Sequence, residues 1–323
     1  MMGVPNVKIN PKRNGVRALV TTIGCTRFIC LLPPLCCASR RNFLYLARYM
    51  SAVCYLYGRE IQAKTNMPVG LVNTNWGGTP VEFWSSADSL NKCANSSGRS
   101  GGAYNGMIVP LLNMTIYGAI WYQGEANQKD AFTELDPQGL PMASYGCRFP
   151  SMIADWREKW HVGTHGETDP EFYFGFVSLG PWIQSGNGPA AIRWAQTAGY
   201  GVVPNPALPN VFDAVAVDLL DRTSPYGSVH IRDKTTVANR LAAGGSSMAY
   251  GDKVVYWQGP VVSKVVLSDT LSASIAVTFT NIGADSMMLV NTSGWEVCTL
   301  LPFGAGNDVP SPNCSSDDVP SHG

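Results

Sequence analysis

Charge is what this chain has least of. Only 14% of its 323 residues are Asp, Glu, Lys or Arg, against roughly 25% in an ordinary soluble domain. Its 23 basic and 23 acidic side chains cancel to a net charge of 0. No basic field exists to hold a phosphate backbone, which excludes nucleic acid as a partner. Long unbroken apolar runs are missing too. Residues 18–37 come nearest, but Arg27 and Pro33-Pro34 interrupt them, so a membrane span of about 20 residues is not expected. Lys8, Lys12, Arg13 and Arg17 precede that stretch without making a clean signal peptide; it reads as a poor signal sequence or as a non-native leader. Histidine is scarce, at four, and no C-x-x-C pair has a matching partner pair, which argues against a zinc site.

Aromatic residues are plentiful. Nine Trp, thirteen Tyr and eleven Phe exclude a disordered chain, and 33 Gly with 22 Pro suit a loop-rich α/β enzyme. The nine cysteines are an odd number: Cys25, Cys30, Cys36 and Cys37 crowd the front, and Cys54, Cys93, Cys147, Cys298 and Cys314 are scattered. Four N-x-S/T triplets begin at Asn95, Asn113, Asn291 and Asn313. Cysteines and sequons together point to a lumenal or extracellular glycoprotein with disulfides.

Periodicity predicts a helix over 43–64, an apolar strand at Pro68–Asn73, a helical turn at Met107–Leu112 and a strand at Ile116–Tyr122. A helix at Pro150–Trp160, a strand at Phe172–Leu179, a helix at Ala190–Ala198, a strand at Val211–Leu219 and a helix at Ile231–Ala243 follow. Strands that are apolar on both sides, alternating with amphipathic helices, predict a parallel sheet covered on both faces. After about Asp252 the period changes: Val254–Trp257, Val261–Leu267 and Ala273–Phe279 read as a small antiparallel appendage. The expected divisions are an unmatched, poorly ordered leader over 1–42, the α/β domain over 43–250, a small β region over 251–301 and a disordered tail over 302–323.

In an open parallel sheet, ligands bind beyond the carboxyl ends of the strands, and the unusual sequences fall there. Gly77 and Gly78, in Trp76-Gly77-Gly78-Thr79-Pro80, form a tight turn or offer backbone N–H groups to an oxyanion. Gln123, Glu125 and Asn127 crowd into five residues beside Trp121 and Tyr122, more polar groups than a turn needs. His230 follows the fourth strand, with Asp218, Asp221 and Asp233 around it; a histidine held by a carboxylate is the base half of a hydrolytic triad. Gly98-Arg99-Ser100-Gly101-Gly102 looks like a serine-protease loop, but no histidine precedes residue 161, as that arrangement requires. It reads as a flexible loop.

These strand-end motifs occur in order, as Gly70-Leu71-Val72 with Trp76–Glu82, then Trp121–Asn127, then Asp218, Asp221-Arg222, Ser224-Pro225 and Gly227–His230 with Arg232–Lys234. Together they resemble the sialate O-acetylesterase family of SGNH-like carbohydrate esterases, from about residue 43 to 260. The resemblance implies a flavodoxin-like fold and hydrolysis of O-acetyl esters on sialic acid or sialoglycans. It implies no metal or cofactor, and a lysosomal or secreted setting. It makes His230 the general base, Gly77, Gly78 and Asn127 contributors to the oxyanion hole, and Gln123 and Glu125 residues that shape the site. Asp221 is the expected orienting carboxylate, with Asp218 in reserve. The family's serine nucleophile lies in G-Q-S-N-M after its first strand, and G-Q-S-N occurs nowhere in this sequence. Residues 1–42 resemble nothing in the family, so the first strand is expected to be missing and the chain inactive as written. The alternative is a non-catalytic, carbohydrate-binding homologue that keeps the pocket.

Overall fold

The computed structural model describes residues 17–22, 27–29, 50–93, 101–130, 145–182, 188–252, 257–268, 274–280, 297–299 and 313–315. Contacts divide the chain into two units, one ending at Gln258 and one beginning at Gly259.

The first unit is built on a six-stranded sheet. Its strands are β1 (Arg17–Thr22), β2 (Arg27–Ile29), β3 (Val69–Thr74), β4 (Gly118–Trp121), β5 (Tyr173–Ser178) and β6 (Val211–Val215). They lie in the order β2-β3-β1-β4-β5-β6. All run parallel except β2, which pairs antiparallel with β3. Every residue of β3 and β4 is buried, as unalternating apolar runs require when helices cover both faces. On one face α1 (Ala52–Thr65) and α4 (Lys234–Tyr250) bury Val53, Tyr57, Ile61, Val237 and Leu241 against Leu71, Ile120 and Phe212. On the other, α2 (Tyr145–Gly163) and α3 (Gly188–Gln196) bury an aromatic layer. There Trp121 meets Trp84 edge-on at 6.2 Å and Trp156 at 5.8 Å. The Trp156 indole N–H donates to Trp84 O at 3.1 Å, so this layer is pinned as well as packed.

The parallel α/β class agrees with the sequence. The gap implied by the missing family motif is filled in the backbone: Arg17–Thr22 lies between β3 and β4, with Thr22 level with Thr74 and Trp121. A short β-forming run in the leader is enough to occupy that slot, although it carries none of the motif.

Several boundaries differ from the sequence pattern. The helix expected over 43–64 begins at Ala52, because Ser51 caps it by accepting the Cys54 N–H at 3.2 Å; residues 43–49 lie outside the described residues. The turn expected at 107–112 is a π turn over Tyr104–Ile108 followed by a 3-10 turn over Val109–Leu111, with Pro110 at its start. Strand β6 stops at Val215, and α4 starts only after Asp233, whose carboxylate accepts the Thr236 N–H at 2.9 Å.

In the second unit β7 (Val261–Ser268) and β8 (Ser274–Thr280) form an antiparallel pair. A second pair joins β9 (Val297–Thr299), in the expected β region, to β10 (Asn313–Ser315), which lies within the stretch whose composition suggests a disordered tail. The strand expected at Val254–Trp257 lies almost wholly outside the described residues. A disulfide links Cys93 to Cys147 and Cys54 is buried; Cys25, Cys30, Cys36 and Cys37 lie outside the described residues. So do Asn95 and Asn291, while Asn113 is exposed.

Candidate active site

Beyond the carboxyl ends of the strands lies a cavity of about 740 Å³, lined by residues between Ser51 and Lys234. The loop after β3 contributes Trp76, Gly77, Gly78 and Thr79. The loop after β4 brings Tyr122, Gln123 and Glu125, and the chain beyond β5 brings Trp182. The segment between β6 and α4 brings Tyr226 and His230.

The first loop turns at Gly78, whose φ of +73° lies in the left-handed region that side chains with a Cβ avoid. A Cβ there would meet nothing within 4 Å, so the constraint is backbone conformation and not space. Among the described residues, neither the Gly77 nor the Gly78 N–H is bound by another protein group. Both are exposed and available to a ligand oxygen.

Asn127 and Gln123 fasten that loop to the next one. Asn127 is fully buried; its Oδ1 accepts the Val81 N–H at 2.9 Å and Gln123 Nε2 at 2.8 Å. Its Nδ2 donates to Glu82 Oε2 at 3.0 Å, and the other Glu82 oxygen pairs with Arg148 on α2. Gln123 Nε2 also donates to Thr79 O at 3.1 Å, while its Oε1 accepts the Tyr145 hydroxyl at 3.1 Å. The Asn127 amide, expected to serve an oxyanion, is therefore committed to holding Val81, Glu82 and Gln123 in place. Gln123 reaches the cavity wall, but its polar atoms are equally engaged. Gln196 of α3, which the sequence did not single out, completes this scaffold: its Nε2 donates to Gln123 O at 3.3 Å and to Val177 O at 3.0 Å.

His230 is exposed into the cavity. Its Nδ1 lies 2.6 Å from Tyr226 O. A carbonyl only accepts, so Nδ1 carries the proton and Nε2 keeps its lone pair, the tautomer a general base needs. Gly227, at φ +93°, makes the turn that brings Tyr226 O to the ring, and the His230 N–H returns to Gly227 O at 2.9 Å.

The expected pairing of Asp221 with His230 does not form. Both Asp221 oxygens are held by the Arg232 guanidinium, at 2.6 and 2.8 Å, and Arg232 keeps its pKa well below the usual carboxylate range. Asp218, the reserve, is held by Arg240 at 2.6 and 2.7 Å, which likewise lowers its pKa. Asp233 caps α4. The acid on the cavity wall is Glu125 instead. Burial raises its pKa, opposed by hydrogen bonds from its own backbone and Gly124 and by the electrostatic influence of His230 and Lys234. Ser51, Trp182 and Lys234 also line the cavity. Lys234 stands in the motif bearing His230, but nothing local in the sequence says which way it faces. Among the described residues, no cluster of three or more His, Cys, Asp or Glu side chains is placed to hold a metal ion.

A histidine Nε2 and two backbone N–H groups that no protein group binds among the described residues, with a shielded carboxyl around the same cavity, can abstract a proton and stabilise a developing oxyanion. The family described as carbohydrate esterase, sialic acid-specific acetylesterase matches residues 51–164. Human sialate O-acetylesterase is 44% identical over 235 residues, covering 68% of this chain and 43% of the human protein. The mouse sialate O-acetylesterase is 42% identical over 260 residues, covering 68% of this chain and 46% of its own length. The chain thus spans less than half the length of the curated relatives it matches. Among solved structures, XAC1771, a carbohydrate acetylesterase from Xanthomonas citri, superposes with a TM-score of 0.60. It is 22% identical and covers 92% of this chain and 73% of its own, a likeness of fold.

Proposed function

We propose, on the premise that through residues 51–164 this chain belongs to the sialic acid-specific acetylesterase family of carbohydrate esterases, that its cavity is a site for O-acetylated sialic acids. His230 is the base there, and the Gly77 and Gly78 N–H groups receive the ester carbonyl oxygen. The observation that carries this reading is the opening of His230 and both glycines into one cavity of about 740 Å³. Family hydrolysis also needs a nucleophile, and these 323 residues contain no G-Q-S-N. A histidine and oxyanion donors alone leave only a small residual rate. The chain as given retains its ligand without measurable turnover. Its setting in this reading is lysosomal or secreted, supported by the Cys93–Cys147 disulfide and by exposed Asn113 in Asn113-Met114-Thr115, an acceptor for glycosylation.

The test is to incubate purified chain with 9-O-acetyl sialic acid and follow acetate and ligand binding by NMR. The expected result is binding at millimolar affinity or better, with no acetate above the buffer control. Acetate release that His230→Ala abolishes would overturn the absence of turnover. Ser51, the one serine among the cavity-lining residues, would then be the hydroxyl to substitute. A flat titration with folded protein would remove the site assignment itself.

A further inference from the structure

The cavity contains a cation that forms no salt bridge with a carboxylate among the described residues. Lys234, the first residue of α4, lines it, and its Nζ lies 4.9 Å from the centroid of the Tyr122 ring. Among the described residues it makes no ion pair, whereas Arg232 and Arg240 nearby are neutralised by Asp221 and Asp218. The charged and titratable groups facing it are Glu125 and His230 on the cavity wall, with Tyr122 beneath; Asp233 beside it is engaged by Thr236. Glu125 is felt electrostatically but forms no salt bridge with it, and burial disfavours both charges, raising the glutamate pKa and lowering the lysine pKa. A half-buried ammonium over an aromatic face, with much of its hydration removed, attracts an anion more strongly than an exposed one does.

Aromatic surface adjoins the cation. Trp76 is 61% exposed and Tyr226 77% exposed, and both line the cavity. Such rings suit the C–H faces of a sugar. A sialic acid differs from a neutral acetylated sugar by the carboxylate at C1, ionised at neutral pH. We propose that Lys234 binds this carboxylate and is the residue that selects acidic sugars over neutral ones. The proposal rests on the reading of the cavity as a sialic acid site and adds the residue that enforces it.

The experiment measures, by NMR titration at low salt, the affinities of two ligands: the methyl glycoside of sialic acid and the C1 methyl ester of that glycoside. Wild-type protein is expected to prefer the acid by about tenfold, the scale of one charge-assisted hydrogen bond. In Lys234→Met the preference disappears because acid binding falls about tenfold, while ester binding stays within about twofold of wild type. Lys234→Arg keeps the preference. A purely structural lysine would move both ligands together, and that result, or a wild type that does not distinguish them, overturns the inference while leaving the sugar site standing. A wild type that binds neither ligand removes the site assignment and this inference with it. Lys234→Gln is measured in parallel so that a fold-defective Met variant does not decide the outcome, and the same loss of preference is expected of it.

Discussion

Glu125 is the carboxyl that His230 and Lys234 both face, and its environment makes its charge costly. Burial raises its pKa above the ordinary 4.5, against the pull of backbone hydrogen bonds and of its neighbours His230 and Lys234. Below that ordinary value both folded and unfolded chains hold the proton, and the site carries no penalty. As pH rises past it, the unfolded chain releases the proton first and gains relative to the folded one, so stability falls through the raised pKa. Glutamine cannot ionise. The melting temperature of Glu125→Gln relative to wild type is therefore expected to be higher at pH 7 than at pH 4, measured by thermal unfolding at both values. An offset that does not change with pH, or one that shrinks towards pH 7, would contradict the buried-charge account. Residue types alone drew attention to the aspartates near His230, because they are close in sequence. Arg232 and Arg240 decide otherwise: each approaches its aspartate with a two-pronged guanidinium, which removes both carboxylates from the histidine's reach.

At the level of elements, the site depends on how the loop after β3 is clasped to the loop after β4. Asn127 joins them with Val81 N–H and Gln123 Nε2 on its Oδ1 and Glu82 on its Nδ2, and Arg148 carries the clasp to α2. Asn127→Ala leaves a buried N–H, a side-chain amide and a carboxylate short of a partner each, and is expected to cost about 3 kcal/mol. Asn127→Asp keeps the acceptor for Val81 but sets a second charge against Glu82, so it is expected to destabilise as well. Urea unfolding of the two variants tests this; a change under about 0.5 kcal/mol in Asn127→Ala, the ordinary surface range, would mean the clasp is not holding the loops. The strands and helices around this clasp were legible in the sequence because each is a local apolar pattern. So was the concentration of amides after β4. The direction of the Asn127 amide was not, because Glu82 lies 45 residues away and its other oxygen is held from a different helix. Helix starts were misread for a related reason: the apolar period runs on through Phe43–Met50 and Ile231, while capping by Ser51 and Asp233 sets where hydrogen bonding begins.

For the whole molecule, contacts divide the chain at Gln258/Gly259, several residues beyond the change of period that the sequence displays after about Asp252. Among the described residues, all of the buried apolar ones lie between Val53 and Ala242, and every residue lining the cavity lies between Ser51 and Lys234. The β7–β8 pair, by contrast, leaves Val262, Val265, Val266 and Ile275 exposed at 41–56%. Burial of apolar surface is the main favourable term in folding, so the stability of the sheet-bearing unit is carried within it. A chain ending at Gln258 is expected to unfold in one cooperative transition within about 3 °C of the full chain, and to bind the methyl glycoside of sialic acid with unchanged affinity. Calorimetry and NMR titration measure the two properties separately. Loss of the cooperative transition would mean that residues after 258 complete the first unit's core. Retention of the transition with loss of binding would mean instead that they complete the site, and the cavity described between Ser51 and Lys234 would not be sufficient for recognition.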